Sequence, residues 1–373
     1  MPDIFYLSHI RFGEGVLAEL GPALSGLGVK RPLVVTDTGV RAVGLLDRVL
    51  AACPAAVFDG TPTNPTEEAV AAALELYRAE GCDGVIGLGG GSPIDLAKGV
   101  ALLATHAGPL ATYAAILGGI PKITVATAPV IAIPTTAGTG SEVGRAALIT
   151  LEDGRKLGFI APHLIPKAAI CDPELTQGLP PRLTAATGMD AVTHCVETYL
   201  SPRYNPPAEA IALDGLARAV GAIERATADG SDRDARREMM MAALQGGLTF
   251  QKGLGAVHAL SHPLGGLKEP SLHHGTLNAV ILPAVLRFNE PAAEEKYRTL
   301  RRTLGLAETA SLPDFFAGLT ARLGLPTSLR AMGVPDSCLP TIAHHATLDH
   351  SAATNPRPAN EADFLAMLRE AMG

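Results

Sequence analysis

The sequence predicts an α/β domain built on a mostly parallel sheet over residues 1–180, followed by an all-α domain over residues 181–373. Three observations carry this. In the first half, short β-rich runs alternate with helical periodicities, the pattern of strands laid parallel by crossover helices. After the Pro180-Pro181 pair those runs disappear, and Ala, Leu, Met and Arg dominate long stretches such as 207–226 and 236–248. The 373 residues suffice for two domains of about 100 to 200 residues each. A ligand is expected in the cleft between them.

Taken in order, Leu33–Thr36 reads as a strand, 40–50 as a helix and Ala56–Phe58 as a second strand. Val70, Ala73, Leu74 and Tyr77 fall at i, i+3, i+4 and i+7, behind Thr66 and two glutamates suited to a helix start. Val85–Leu88 and Val130–Ile133 are the next strands, and 146–171 reads as a short antiparallel excursion with a return strand. Between Gly99 and Pro121 no residue carries a formal charge. His106, Gly108, Pro109 and Gly118-Gly119 break that stretch well short of a membrane span, so it predicts buried helix and loop.

Composition narrows the function. Hydrophobic residues make up 47% and charged residues only 18%, which excludes disorder and leaves little charge for the surface, so part of it is expected to be buried in a homo-oligomer. A net charge of -7 without a basic run, and 4% aromatics with no Trp, exclude a nucleic-acid partner. Five cysteines without a Cys-x-x-Cys pair read as reduced thiols in a cytoplasmic protein. Met1-Pro2-Asp3-Ile4 opens no signal peptide.

Gly87-Leu88-Gly89-Gly90-Gly91-Ser92-Pro93-Ile94-Asp95 carries the chemistry of the first domain. A strand runs into glycines and then a helix whose start is marked by Ser92 with Asp95 as a capping pair and by Pro93. Glycines let a backbone approach closely, and the amides of a helix N-terminus bind phosphate, so this predicts a pyrophosphate cradle. Ser92 stands where the last glycine of Gly-x-Gly-x-x-Gly would be, and the acidic strand-end residue, Asp37, precedes the loop; both argue against the standard Rossmann order. Pro134–Glu142, with Thr135, Thr136 and Thr139, is a second small-residue loop after a strand. Asp37 either makes a turn or accepts from an adenosine ribose, where it would repel a 2′-phosphate and favour NAD over NADP.

In the second domain Asp190 and His194 stand four apart, on one face of a helix. His258 and His262 repeat the spacing, and His273-His274-Gly275 follows. With His163, six of the eleven histidines stand at or near these places. Imidazoles with one carboxylate and no thiolate suit Fe(II), Zn(II), Mn(II) or Co(II). Cys195 points off the His194 face, which disfavours Cys–His nucleophilic chemistry, and Glu197 reads as a solvated charge.

Nearly end to end, the chain resembles the iron-containing (group III) alcohol dehydrogenase family. The resemblance is carried by Asn64-Pro65-Thr66, Gly89–Lys98, Pro134–Val143, Asp190–His194 and His258–Gly265. It implies a dehydroquinate synthase-like architecture with Fe(2+), or Zn(2+), held by Asp190, His194, His258 and His274 at the bottom of the cleft. His262 would line the site and relay a proton. Asp37, Gly90, Gly91, Ser92, Asp95, Thr135, Thr136, Thr139, Lys156 and Leu175 would contact NAD. Against members near lactaldehyde reductase, Lys268–Leu272 lengthens the stretch between His258 and His274 and adds His273 as a rival ligand. Gly144 stands where a Thr is common. Phe250 is a candidate pocket wall.

The expected function is metal-assisted hydride transfer between NAD(H) and a small alcohol or aldehyde, by a homodimer or larger assembly. A 4-hydroxybutyrate or other hydroxy-acid dehydrogenase of the same family is the alternative reading. A dehydroquinate-synthase-like lyase would need several cleft cations, and the ligand-bearing segments hold only Lys252 and Lys268. An intact ligand set argues against a non-catalytic NAD-binding relative.

Overall fold

The computed structural model describes residues 8–267 and 269–373, so the expectations placed on residues 1–4 and on Lys268 lie outside the described residues. Two compact units result, one ending at Gly178 and the other beginning at Leu179.

In the first unit β1 (His9–Phe12), β2 (Pro32–Val35), β3 (Ala56–Phe58), β4 (Gly84–Gly89), β5 (Val130–Pro134) and β8 (Ala168–Cys171) form a six-stranded sheet in the order β1-β8-β5-β4-β2-β3. Every pairing in it is parallel. β6 (Ala146–Thr150) and β7 (Lys156–Ile160) make the separate antiparallel pair. The helices are α1 (Leu20–Gly26), α2 (Thr38–Ala42), α3 (Leu45–Ala52), α4 (Glu67–Ala79) and α5 (Gly91–Leu103). Side chains alternate across the sheet. Leu33, Val35, Val85 and Val130 join the core of α4 and α5, while Val34, Ile86, Ile131 and Ile133 join that of α1 and α3. Burial on both faces is why these strands read as continuous apolar runs.

From β2 the chain crosses first to β3 on one side and then back to β4 on the other. The sheet therefore follows the flavodoxin-like variant of doubly wound order, with its switch point between β2 and β4. The carboxyl ends of these two strands deliver Asp37 and the glycine-rich turn to the same place. Two local expectations are corrected here. The helix expected over 40–50 is two helices, α2 and α3, because Gly44 takes the left-handed conformation (φ +76°) and turns the chain between them. Ser92 does not cap α5, whose N-cap is Gly90. Its hydroxyl donates to the Thr63 carbonyl instead, and Asp95 accepts from Ser141 Oγ (2.5 Å) and the Leu148 amide (2.9 Å).

The second unit contains α6 (Pro181–Leu200), α7 (Pro206–Ala228), α8 (Arg233–Leu248), α9 (Ala256–Gly265), α10 (His274–Asn289), α11 (Glu294–Thr303), α12 (Leu312–Arg322), α13 (Leu339–Leu348) and α14 (Glu361–Ala371). Among the described residues no strand follows Cys171. Helix α6 is buried from Thr184 to Leu200, so it is the core element on which α7, α8 and α10 pack. Its last carbonyls are satisfied by the buried Lys252, whose Nζ donates to Thr198 O (3.0 Å), Tyr199 O (3.1 Å) and Ser201 O (2.5 Å), a cation at the negative end of the helix dipole. Glycine lets α10 approach α6 closely. A Cβ on Gly275 would lie 2.1 Å from the Ala186 carbonyl oxygen.

Candidate metal centre and nucleotide cradle

Helix α6 presents Asp190 and His194 from consecutive turns, and His194 Nε2 lies 3.4 Å from Asp190 Oδ1. The start of α9 brings His258 Nε2 to 3.8 Å from the same oxygen, and the start of α10 brings His274 Nε2 to 3.7 Å. Asp190, His194 and His258 are buried and offer ligand atoms all within 4.8 Å of one another. Edges of this length suit a tetrahedral ion with bonds of about 2.0 to 2.2 Å. Burial and the neighbouring imidazoles hold His258 well below its usual range, so it is neutral with a lone pair to give. One carboxylate with imidazoles is a donor set that fits divalent iron or zinc.

The surroundings fix these donors. Glu197, read from sequence as solvated, is 4% exposed. Its Oε2 lies 2.6 Å from His258 Nδ1 and its Oε1 accepts from the Val257 amide at 2.7 Å. Burial pushes its carboxyl up to about 8, against the pull of the Val257, Gly255 and His258 amides. Donation of Nδ1–H to Glu197 would leave Nε2 of His258 as a lone pair toward Asp190. The correction has a tertiary cause. Spacing put Glu197 one turn past His194, but only the docking of α9 against α6 shows that this turn is covered.

His262 packs beside the cluster, its ring 5.6 Å from that of His258. Its Nδ1 bonds Asp349 Oδ2 (2.8 Å), and its ring stacks on His274 (5.6 Å, 9°) and on His350 (5.9 Å, 18°). Burial raises the Asp349 carboxyl, but the His262 and His350 imidazoles and the Ser351 amide outweigh it and hold it at about 2. Neither Asp349 nor His350 was singled out from sequence; the only signal was an Asp-His step following a helical run. Of the two adjacent histidines, His274 joins the cluster, whereas His273 precedes α10 with a buried Nδ1 that has no partner. Phe250 packs edge-on against His194 (4.7 Å, 77°). Cys195 is buried with its thiol pushed up to about 12, which disarms it as a nucleophile. His163 belongs to the first unit.

In that unit the turn after β4 faces the loop after β5. The Thr135 amide donates to Gly89 O (2.9 Å). A Cβ at Gly90 would sit 3.4 Å from Thr136, and one at Gly91 2.9 Å from Thr139. Thr136 Oγ1 is buried without a partner. A glycine turn, the start of α5 and a hydroxyl with nothing to bond make a cradle that fits a pyrophosphate. Asp37 caps α2 by accepting from the Val40 amide (2.9 Å), and its other oxygen is 3.5 Å from where a Gly89 Cβ would be, beside the turn. Lys156 Nζ donates to Asn64 Oδ1 (2.9 Å). The Leu175 side chain is buried in the core beside α1 and α3.

Residues 8–173 match the family described as "Iron-containing alcohol dehydrogenase", and residues 184–372 match "Fe-containing alcohol dehydrogenase family, C-terminal". The chain belongs to the iron-containing alcohol dehydrogenase family. It is 55% identical to a 4-hydroxybutyrate dehydrogenase of Cupriavidus necator over the full length of both chains. It is 33% identical to a lactaldehyde reductase of Escherichia coli, covering 96% of this chain and 97% of that one. Among solved structures, a sulfoacetaldehyde reductase from Bifidobacterium kashiwanohense in complex with NAD+ superposes with a TM-score of 0.91 at 26% identity, covering 100% of this chain and 99% of that one. As a family member the chain is an oxidoreductase acting on alcohols and aldehydes.

Proposed function

We propose that this iron-containing alcohol dehydrogenase uses NAD to interconvert a short ω-hydroxy carboxylate, 4-hydroxybutyrate, with its semialdehyde. The observation that carries the chemistry is the convergence of Asp190, His194, His258 and His274 beside the His262–Asp349 pair. The hydroxy-acid substrate rests on the 55% full-length identity to the 4-hydroxybutyrate dehydrogenase.

When bound, the metal supplies Lewis acidity toward the alcohol oxygen and NAD supplies the hydride acceptor. Asp190 and the three histidines would hold the metal, with Glu197 fixing the tautomer of His258. Asp349 accepts the Nδ1 proton of His262, so the second ring nitrogen is the one able to take up the alcohol proton. Phe250 gives the site an apolar side, which excludes water. In the first unit Gly90, Gly91, Ser92, Thr135, Thr136 and Thr139 would receive the dinucleotide, and Asp37 would accept from its ribose. Asp95 supports that cradle by tying α5 to Ser141 and Leu148.

A homo-oligomer is the expected assembly, supported by the low charge content and by exposed Ile116, Leu117, Ile120 and Val125. A cytoplasmic site fits the five free cysteines. Among the described residues no helix is long and apolar enough to cross a membrane.

The test is metal content and NAD-linked turnover on one anaerobically purified sample, with 4-hydroxybutyrate, 1,4-butanediol and 1-butanol as substrates. Activity lost on chelation, restored by Fe(II) and highest in kcat/KM for 4-hydroxybutyrate is expected. Chelation without effect overturns the metal role. A preference for butanol or the diol over the acid overturns the substrate.

A further inference from the structure

Asn278 is fully buried on α10, one turn beyond His274. Its Nδ2 lies 2.7 Å from Asp190 Oδ1, 3.2 Å from His274 Nε2 and 3.3 Å from His258 Nε2, within hydrogen-bond distance of three donor atoms from three different helices. Its Oδ1 is buried with no partner. A buried amide that leaves one end unsatisfied has a poor case as a stabilising residue. Its worth must lie in what Nδ2 does.

We propose that Asn278 is the positioning residue that aims the metal-binding donors. An amide nitrogen only donates. One N–H fixes the direction of Asp190 Oδ1, the oxygen from which the Nε2 distances of all three histidines are shortest. In the metal-free site the other lies between the His258 and His274 nitrogens and favours both as lone pairs, the same lone pairs that a bound metal would take over from it. Glu197 lies 2.6 Å from Nδ1 on the opposite side of the His258 ring, where accepting Nδ1–H would match the same tautomer. The inference rests on reading Asp190, His194, His258 and His274 as the ligand set.

The test loads metal-stripped protein with Co(II) alone and reads two quantities independent of turnover: affinity by competition with a chromophoric chelator, and the visible d–d spectrum. Asn278→Leu keeps the size and removes the donor. It is expected to weaken Co(II) binding 10- to 100-fold, as loss of a residue that orients ligands does elsewhere. Asn278→Asp keeps the shape, replaces the donor by a charged acceptor, and is expected to bind Co(II) with a weaker, higher-coordinate spectrum. Asp190→Ala is the control on the ligand set. If Asp190→Ala loses Co(II) while both Asn278 variants keep wild-type affinity and spectrum, the positioning role is overturned and the ligand set stands. If Asp190→Ala binds as tightly as wild type, the ligand set itself is wrong. NADH fluorescence in each variant reports whether the first unit is folded.

Discussion

Adding one methyl group at Gly275 should cost the enzyme its metal. A Cβ there would stand 2.1 Å from the Ala186 carbonyl oxygen, 2.8 Å from its carbon and 3.3 Å from Asp190 Cβ. Carbon and oxygen atoms that are not bonded approach to about 3.3 Å, so α10 and α6 must move apart by about 1 Å. His274 rides on α10, while Asp190 and His194 ride on α6. A metal site tolerates about 0.2 Å in its bond lengths. Gly275→Ala is therefore expected to lower Fe(II) or Zn(II) affinity at least about 100-fold and, at saturating metal, to cut turnover on the order of 100-fold. The overpacking itself should cost about 1 to 3 kcal/mol of stability. Chelator competition measures the first effect, initial rates the second and thermal unfolding of the metal-stripped protein the third. Gly221→Ala on α7, where a Cβ meets nothing within 4 Å, is the control. It should leave metal affinity unchanged and gain about 0.5 to 1 kcal/mol from helix propensity. Wild-type metal affinity in Gly275→Ala would refute the claim that close α6–α10 contact sets the donor geometry.

Three further outcomes are expected. Glu197→Ala strands the Val257 amide and His258 Nδ1, each costing about 1 to 3 kcal/mol when buried without a partner, and should weaken metal binding about 10- to 100-fold; unchanged retention in dialysis against chelator would contradict the orienting role. The Asp349 carboxyl is held at about 2, below its unfolded value of about 3.9. It therefore contributes about 3 kcal/mol that is present above pH ~4 and lost as pH falls toward 2. Asp349→Asn should flatten denaturant-measured stability over that window and slow turnover about 100-fold with metal content intact. Asp37→Gly should let NADP compete with NAD, read as the ratio of kcat/KM for the two; an unaltered ratio would place the ribose elsewhere.

Local physics made much of this protein legible in its residue order. Thr66 caps α4 because a hydroxyl before two glutamates can do little else at a helix start, and it accepts from the Ala69 amide at 3.2 Å. Apolar runs bounded by glycine became strands buried on both faces. The four-residue spacing from Asp190 to His194 made a same-face pair because the helical repeat requires it. The same spacing from His258 to His262 was equally visible, yet the two residues part company. His258 meets Asp190 and Glu197, whereas His262 meets Asp349, 87 residues on.

Spacing fixes which way a side chain leaves its own helix and says nothing of what arrives from another. Glu197 looked solvated until α9 covered it. Asn278 and Asp349 lie in a leucine-rich helix and just past a helix end, with no periodicity to mark them. Ser92 had a sequence neighbour to cap with and found the Thr63 carbonyl instead. The residue types proposed to bind metal were set by the sequence; their orienting partners, and the approach of His274 rather than His273 to Asp190, were set by helix packing, because buried donors take their direction from whatever polar atom the next helix brings within about 3 Å.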